Sequence, residues 1–202
     1  MAGLISQNHS IIADWIAPGS RVLDLGCGDG RLLERLQAER QSSGIGVEID
    51  EGLVVKCLSK GLCVYQGDLG RELTGFDERS FDYVILNSTL QSVVKPCQVL
   101  NEMLRVASSA IVSISNFGYL RNRLRVAGSG RISRVTRLGA AWYDTPAIRY
   151  VSLSEFQQTL NAMGIEIADA RYILPGGLTT ARPPRLANLL VKEAIFSLRL
   201  KP

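Results

Sequence analysis

Three glycines and four acids are the residues of this chain whose types and spacing could do chemistry. Gly26, Gly28 and Gly30 alternate in Val22-Leu-Asp-Leu-Gly-Cys-Gly-Asp-Gly30, after a buried apolar run and before a helical one. Each glycine lets the backbone turn, or approach a ligand, where a Cβ would clash. A loop between the first strand and its helix is where open α/β sheets bind ligands. A pyrophosphate site of the G-x-G-x-x-G kind would want its third glycine one place later. That place is Arg31, and Asp24 and Asp29 flank the loop where a pyrophosphate would be repelled. The loop suits a cationic or neutral ligand better.

S-adenosylmethionine has that character, with a sulfonium, an ammonium, no phosphate, and a ribose diol and adenine to be recognised separately. Its demethylated form, S-adenosylhomocysteine, shares the last two. Glu48 ends the second predicted strand, where a carboxylate can accept both ribose hydroxyls; Asp50 is its less favoured neighbour. Asp68 closes the third in Gln66-Gly-Asp-Leu69, where a carboxylate can accept from the adenine amino group while the next backbone N–H faces a ring nitrogen. The expected cofactor set is Asp24, Gly26, Cys27, Gly28, Asp29, Gly30, Glu48, Ile49, Asp68, Leu69 and Asn87. Each acid alone is weak, because a strand-end Asp is more often a helix cap. Their succession in chain order carries the weight.

The elements that must position these residues are legible as short runs rich in Val, Ile and Leu. Arg21 to Leu25, Gly44 to Ile49, Leu62 to Gln66, Phe81 to Leu86 and Ala110 to Ser115 read as buried strands. Helical patterns separate them, at Leu32-Leu33-Leu36, at Val54-Val55-Leu58 and after Pro96. Such alternation predicts an α/β chain with a mostly parallel sheet covered on both faces. Ile11, Ile12, Trp15 and Ile16 predict a short leading helix that ends at Pro18-Gly19. Residues 117 to 150 read as an irregular, basic excursion broken by glycines. Ser152 or Ser154 then caps a helix to about Ala162, stopped by Gly164, and Ile165 to Leu174 and Ala187 to Leu198 close the chain as strands. The second of these has room for a helical turn at its start.

With 202 residues, 46% of them hydrophobic, the chain reads as a single domain over 1–202. No apolar run approaches a membrane span, and the first ten residues lack a secretory pattern, which predicts a cytoplasmic protein with no membrane partner. Cys27, Cys57, Cys63 and Cys97 form no Cys-x-x-Cys pair, and His9 is the only histidine. The expectation is four reduced thiols, most of them packing groups, and no metal. The net charge of +4 is concentrated, since residues 117–150 hold seven Arg against Asp144 alone. Without a helix-turn-helix or aromatic-basic interleaving, this reads as a solvated face, a protein-docking surface or an acidic-substrate lid, and not as a nucleic-acid site.

Val22 to Gly30, Gly46 to Asp50, Gly67 to Leu69 and Phe81-Asp-Tyr-Val-Ile-Leu86 resemble class I S-adenosylmethionine-dependent methyltransferases. Within them, Thr89-Leu-Gln91, Met103-Leu-Arg-Val106, Ile111-Val-Ser113 with Asn116-Phe-Gly118, and above all Trp142-Tyr-Asp-Thr-Pro146, resemble the MetW family of methionine biosynthesis. The resemblance implies a Rossmann-like class I methyltransferase fold, with a seven-stranded sheet, helices on both faces and the last strand inserted antiparallel. It also implies partnership with a homoserine O-acyltransferase, which such proteins activate. The alternative is a methyltransferase acting on a small metabolite or protein. For that chemistry Tyr143 and Asp144 are the only polar pair expected near the crevice, with Trp142 as a wall. Asn87 follows the fourth strand, where such enzymes place groups that touch the acceptor, and could equally tie the strand end to the next loop.

Overall fold

The computed structural model describes residues 2–130 and 149–201. In chain order these form α1 (Ala2–Trp15), β1 (Arg21–Leu25), α2 (Arg31–Arg40), β2 (Ser43–Glu48), α3 (Glu51–Ser59), β3 (Cys63–Gln66), α4 (Leu69–Glu72), β4 (Phe81–Leu86), α5 (Pro96–Val106), β5 (Ala107–Ser115), α6 (Leu120–Ser129), α7 (Leu153–Ala162), β6 (Ile165–Ile173), β7 (Thr179–Thr180), α8 (Ala187–Leu190) and β8 (Glu193–Leu200). The strands make one sheet in the order β3-β2-β1-β4-β5-β8-β6-β7. β1 to β5 pair in parallel, and β8 runs antiparallel to both β5 and β6. The expected antiparallel insertion is therefore present, with eight strands instead of seven. The additional one is β7, a two-residue edge strand that pairs Thr179 and Thr180 with the end of β6.

Side-chain alternation explains why both faces are covered. Leu23, Leu25, Val84, Leu86, Val112 and Ile114 join one core with α5 and α7, whereas Val22, Ile85 and Ile111 join another with Ile12 of α1, Ile16 just beyond it, and Leu32 and Leu36 of α2. A strand buried on both faces is apolar at nearly every position, which is why β1, β4 and β5 read as near-continuous runs, with Asp24 and Ser113 as buried polar exceptions.

Local chemistry sets the boundaries. Asp50 caps α3 by accepting from the Leu53 N–H at 2.9 Å. Ser152, not Ser154, caps α7 in a reciprocal box with Glu155, whose carboxyl the Ser152 side chain and backbone hold below the usual range. The expected irregular excursion starts as helix α6, which buries none of its residues. The thiols also divide differently from expectation. Cys27 and Cys57 are buried, whereas Cys63 and Cys97 are exposed, and all four are free. Among the described residues no helix is long and apolar enough to cross a membrane, and no three His, Cys, Asp or Glu gather to hold a metal.

Candidate functional site

After β1 the chain reverses over residues 26–30, with Gly26, Gly28 and Gly30 at φ of 70°, 60° and 76°. A side chain at these angles costs roughly 1–2 kcal/mol per residue. The Gly26 and Cys27 amides donate to the Val47 carbonyl at 2.7 and 3.2 Å, so the end of β2 grips the loop. Gly30 rests on Leu62 and Cys57 with no room for a Cβ, and one on Gly26 would lie 2.9 Å from Thr89 Oγ1. Gly28 differs: nothing stands within 4 Å of its Cβ position.

Glu48 locks onto this loop. Its Oε2 accepts from the Gly28 N–H at 2.8 Å, and its Oε1 accepts from the N–H groups of Ile49 and Asp50 at 2.8 and 3.0 Å. Three amide donors fix the carboxylate at the mouth of a crevice of about 690 Å³. The crevice is lined by Gly26, Glu48, Ile49 and residues 67–71, together with Thr89, Val94, Lys95, Gln98 and Glu102. Ile49 presents an apolar surface that is 67% exposed.

The remaining predicted residues take other places. Asp24 lies buried within β1, outside the crevice lining. Burial, and after it the neighbouring Glu48, pushes its carboxyl up from 3.8 to about 7. Asp68 lines the crevice and caps α4, accepting from the Gly70 N–H at 2.9 Å. Asp29 pairs with Arg31 at 2.8 Å. Cys27 lies under the loop, against Gly46, where a Cβ would sit 2.5 Å from its sulfur. Burial raises the thiols of Cys27 and Cys57, and Cys57 Sγ donates to the Gly28 carbonyl at 3.2 Å. Both are packing groups, and Cys57 is a hydrogen-bond donor as well.

Asn87 is not among the lining side chains. Its Oδ1 accepts from Ser113 Oγ at 2.8 Å and from Asn8 Nδ2 at 3.2 Å, and the same Asn8 nitrogen donates to Glu193 Oε1 at 2.6 Å. This buried network ties α1 to the ends of β4 and β5 and the start of β8. Sequence reading does not single out Asn8, which has no local motif. Gln98 and Glu102, also unremarked, had a signal: they stand four apart on α5, whose other face buries Val99, Leu100 and Met103. Tyr143 and Asp144, with Trp142, lie outside the described residues.

The strand order, the glycine loop after β1 and the antiparallel strand inserted between β5 and β6 define the Rossmann-like fold of class I methyltransferases. A SAM-dependent methyltransferase from Archaeoglobus fulgidus superposes with a TM-score of 0.72 at 16% identity, over 98% of this chain and 94% of that one. A SAM-dependent methyltransferase from Thermotoga maritima, a possible histamine N-methyltransferase, gives 0.68 at 18% identity, over 98% and 92%. Within that class the chain belongs to the MetW family, since the model described as methionine biosynthesis protein MetW matches residues 6–198. It is 34% identical over 172 residues to the bifunctional methionine biosynthesis protein MetXA/MetW of Rhodopirellula baltica. That match covers 81% of this chain and 28% of that relative's length.

Proposed function

We propose that this protein binds S-adenosylmethionine or S-adenosylhomocysteine in the crevice and serves as a partner and activator of a homoserine O-acyltransferase in methionine biosynthesis. The observation that carries the partnership is the Rhodopirellula baltica relative, whose name joins MetXA and MetW in one polypeptide. A relative that carries both names in one polypeptide supports the reading that the two work side by side.

The crevice residues suit the nucleoside. The Glu48 carboxylate lines the crevice, and of its roughly four acceptor sites three hold amides, which leaves one on Oε2 for a ribose hydroxyl. Ile49 offers an apolar surface for the adenine ring, and Asp68 an acceptor for its amino group. The bare face of Gly28 leaves space for the rest of the ligand. The acids that line the crevice, Glu48 and Asp68, favour a cation over a phosphate. When bound, S-adenosylmethionine supplies a sulfonium-activated methyl group. As the downstream product of the pathway, it is also a chemically sensible reporter of methionine supply.

Titration calorimetry tests the ligand, with a Glu48→Gln variant expected to bind at least about tenfold more weakly, the loss of roughly 1.4 kcal/mol. Acyltransferase assays with and without this protein test the partnership. Equal activity and no co-purification would sink it.

A further inference from the structure

We propose that the corner built from α6, Tyr150 and α8 is the surface that docks an acidic protein face on the acyltransferase. This rests on the partnership reading above and assigns it a place on the molecule. Five large apolar side chains stand exposed here: Leu120, Leu124, Tyr150, Leu186 and Leu190. Leu124 is 63% exposed and Leu186 is 69% exposed, values that leave most of each side chain in water. Leu120 and Leu124 stand one helical turn apart on α6 and make a ridge, while Leu186, in a left-handed conformation, caps the four-residue α8 that Leu190 ends.

The approach to α6 and the end of α8 belong to one corner because the Asn116 side chain joins them. The Asn116 side chain donates to the carbonyls of Asn188 and Val191 at 3.0 and 2.8 Å, and a Cβ on Gly118 would meet Asn188 Oδ1 at 2.8 Å. The Phe117 N–H donates to the Val151 carbonyl at 3.0 Å, and the Phe117 and Tyr150 rings lie 5.1 Å apart. Exposed leucines clustered this way are a common mark of a protein contact.

Charge selects the occupant. Residues 117–130 and 182–190 carry five arginines, Arg121, Arg123, Arg125, Arg182 and Arg185, and no acid. A second copy would set these cations against one another, and like charges brought together in an interface are strongly disfavoured. Nucleic acid would meet arginines but also a ridge of leucine that offers phosphates nothing. An apolar patch ringed by Asp and Glu on the acyltransferase satisfies both features, burying the leucines and pairing the arginines at the rim.

The test uses the full chain and the acyltransferase, with their affinity measured by calorimetry or light interferometry. Leu124→Glu and Arg121→Glu/Arg125→Glu alter exposed side chains outside the crevice, and unchanged far-ultraviolet circular dichroism and nucleoside uptake check that they fold. We expect each to weaken the complex at least tenfold, and the wild-type affinity to fall about tenfold or more between low and high salt. A wild-type complex that both variants form equally well overturns this surface and leaves the partnership standing. No wild-type complex at all overturns both. A shift to dimers on gel filtration that Leu124→Glu abolishes, or displacement of the acyltransferase by RNA, assigns the corner elsewhere and overturns the proposal.

Discussion

Around Gly26–Gly30 the backbone itself makes the contacts, whereas around Asn116 a single side chain does. In the loop, the amides of Gly26, Cys27 and Gly28 find acceptors on Val47 and Glu48 of the neighbouring strand, and three left-handed residues set the reversal. At the corner, Asn116 Oδ1 accepts from the N–H groups of Gly118 and Leu153, and its Nδ2 donates to the carbonyls of Asn188 and Val191. The loop is specified by glycines close in sequence. The corner is specified by contacts up to 75 residues apart. A ligand site made from strand ends can be written locally, because the parallel register already brings those ends together; a surface made from late chain segments needs a long-range fastener.

Breaking that fastener gives the largest expected effect. Asn116→Ala removes all four hydrogen bonds at a position only 1% exposed. Each buried group left without a partner costs about 1–3 kcal/mol, so with partial relaxation a loss of about 4 kcal/mol is expected in urea unfolding. A loss under 1 kcal/mol would dissolve the contrast, because the corner would then hold without its asparagine. The corresponding change in the loop is Gly30→Ala, which combines a positive φ with a Cβ driven toward Leu62 and Cys57. It should cost about 3 kcal/mol. Gly28→Ala shares the backbone strain but meets open space, so it should cost only about 1 kcal/mol. Equal losses for the two glycines would contradict the division of labour in the loop.

The same contrast explains what the sequence made legible. β1, β4 and β5 were readable because strands buried on both faces are mostly apolar, and the glycine loop because positive φ favours glycine. The Ser152 cap was one of two options because both serines precede the same apolar stripe, and only the reciprocal bond with Glu155 decides. Helix α6 was obscured by Gly128 and Gly130, which mark its end and not a lack of structure. Its signal was the spacing of Leu120 and Leu124. Asn8 and Asn116 were out of reach, since an isolated asparagine in a sequence says nothing about the partners it finds 72 or 185 residues away. Asp68 carried two readings from the start. The structure places it at a cap and on the crevice lining at once.

Electrostatics sharpens the comparison at an intermediate scale. Asp24 is buried in β1, and its folded-state carboxyl titrates near 7 against 3.8 when unperturbed. Between those values the folded protein binds more protons than the unfolded chain, so this group lowers stability as pH rises, reaching its full penalty above about pH 7. Asp24→Asn removes that component. The stability of the variant relative to wild type should therefore climb by about 2–3 kcal/mol between pH 5 and pH 8, since one unit corresponds to about 1.4 kcal/mol. A flat difference across that range would mean Asp24 is solvated or paired in solution. Nucleoside binding should weaken in the same variant if the charge faces the bound cation, which separates the cost of holding the acid from its use.

The smallest expected effect belongs to Leu124→Glu, and its smallness is what makes it informative. A leucine with 63% of its surface in water, on a helix that buries none of its residues, contributes little to the fold. Substitution there should change unfolding free energy by less than about 0.5 kcal/mol. Glutamate among Arg121, Arg123 and Arg125 gains attractive neighbours, so a slight stabilisation at low salt that fades as salt is added is the expected sign. A loss of 2 kcal/mol or more would show that Leu124 is covered in the folded chain and that the ridge belongs to the core. Near-neutral stability combined with a weakened complex would instead separate folding from recognition at this corner. At Glu48 the two stay joined, since the carboxylate that faces the crevice also holds the loop.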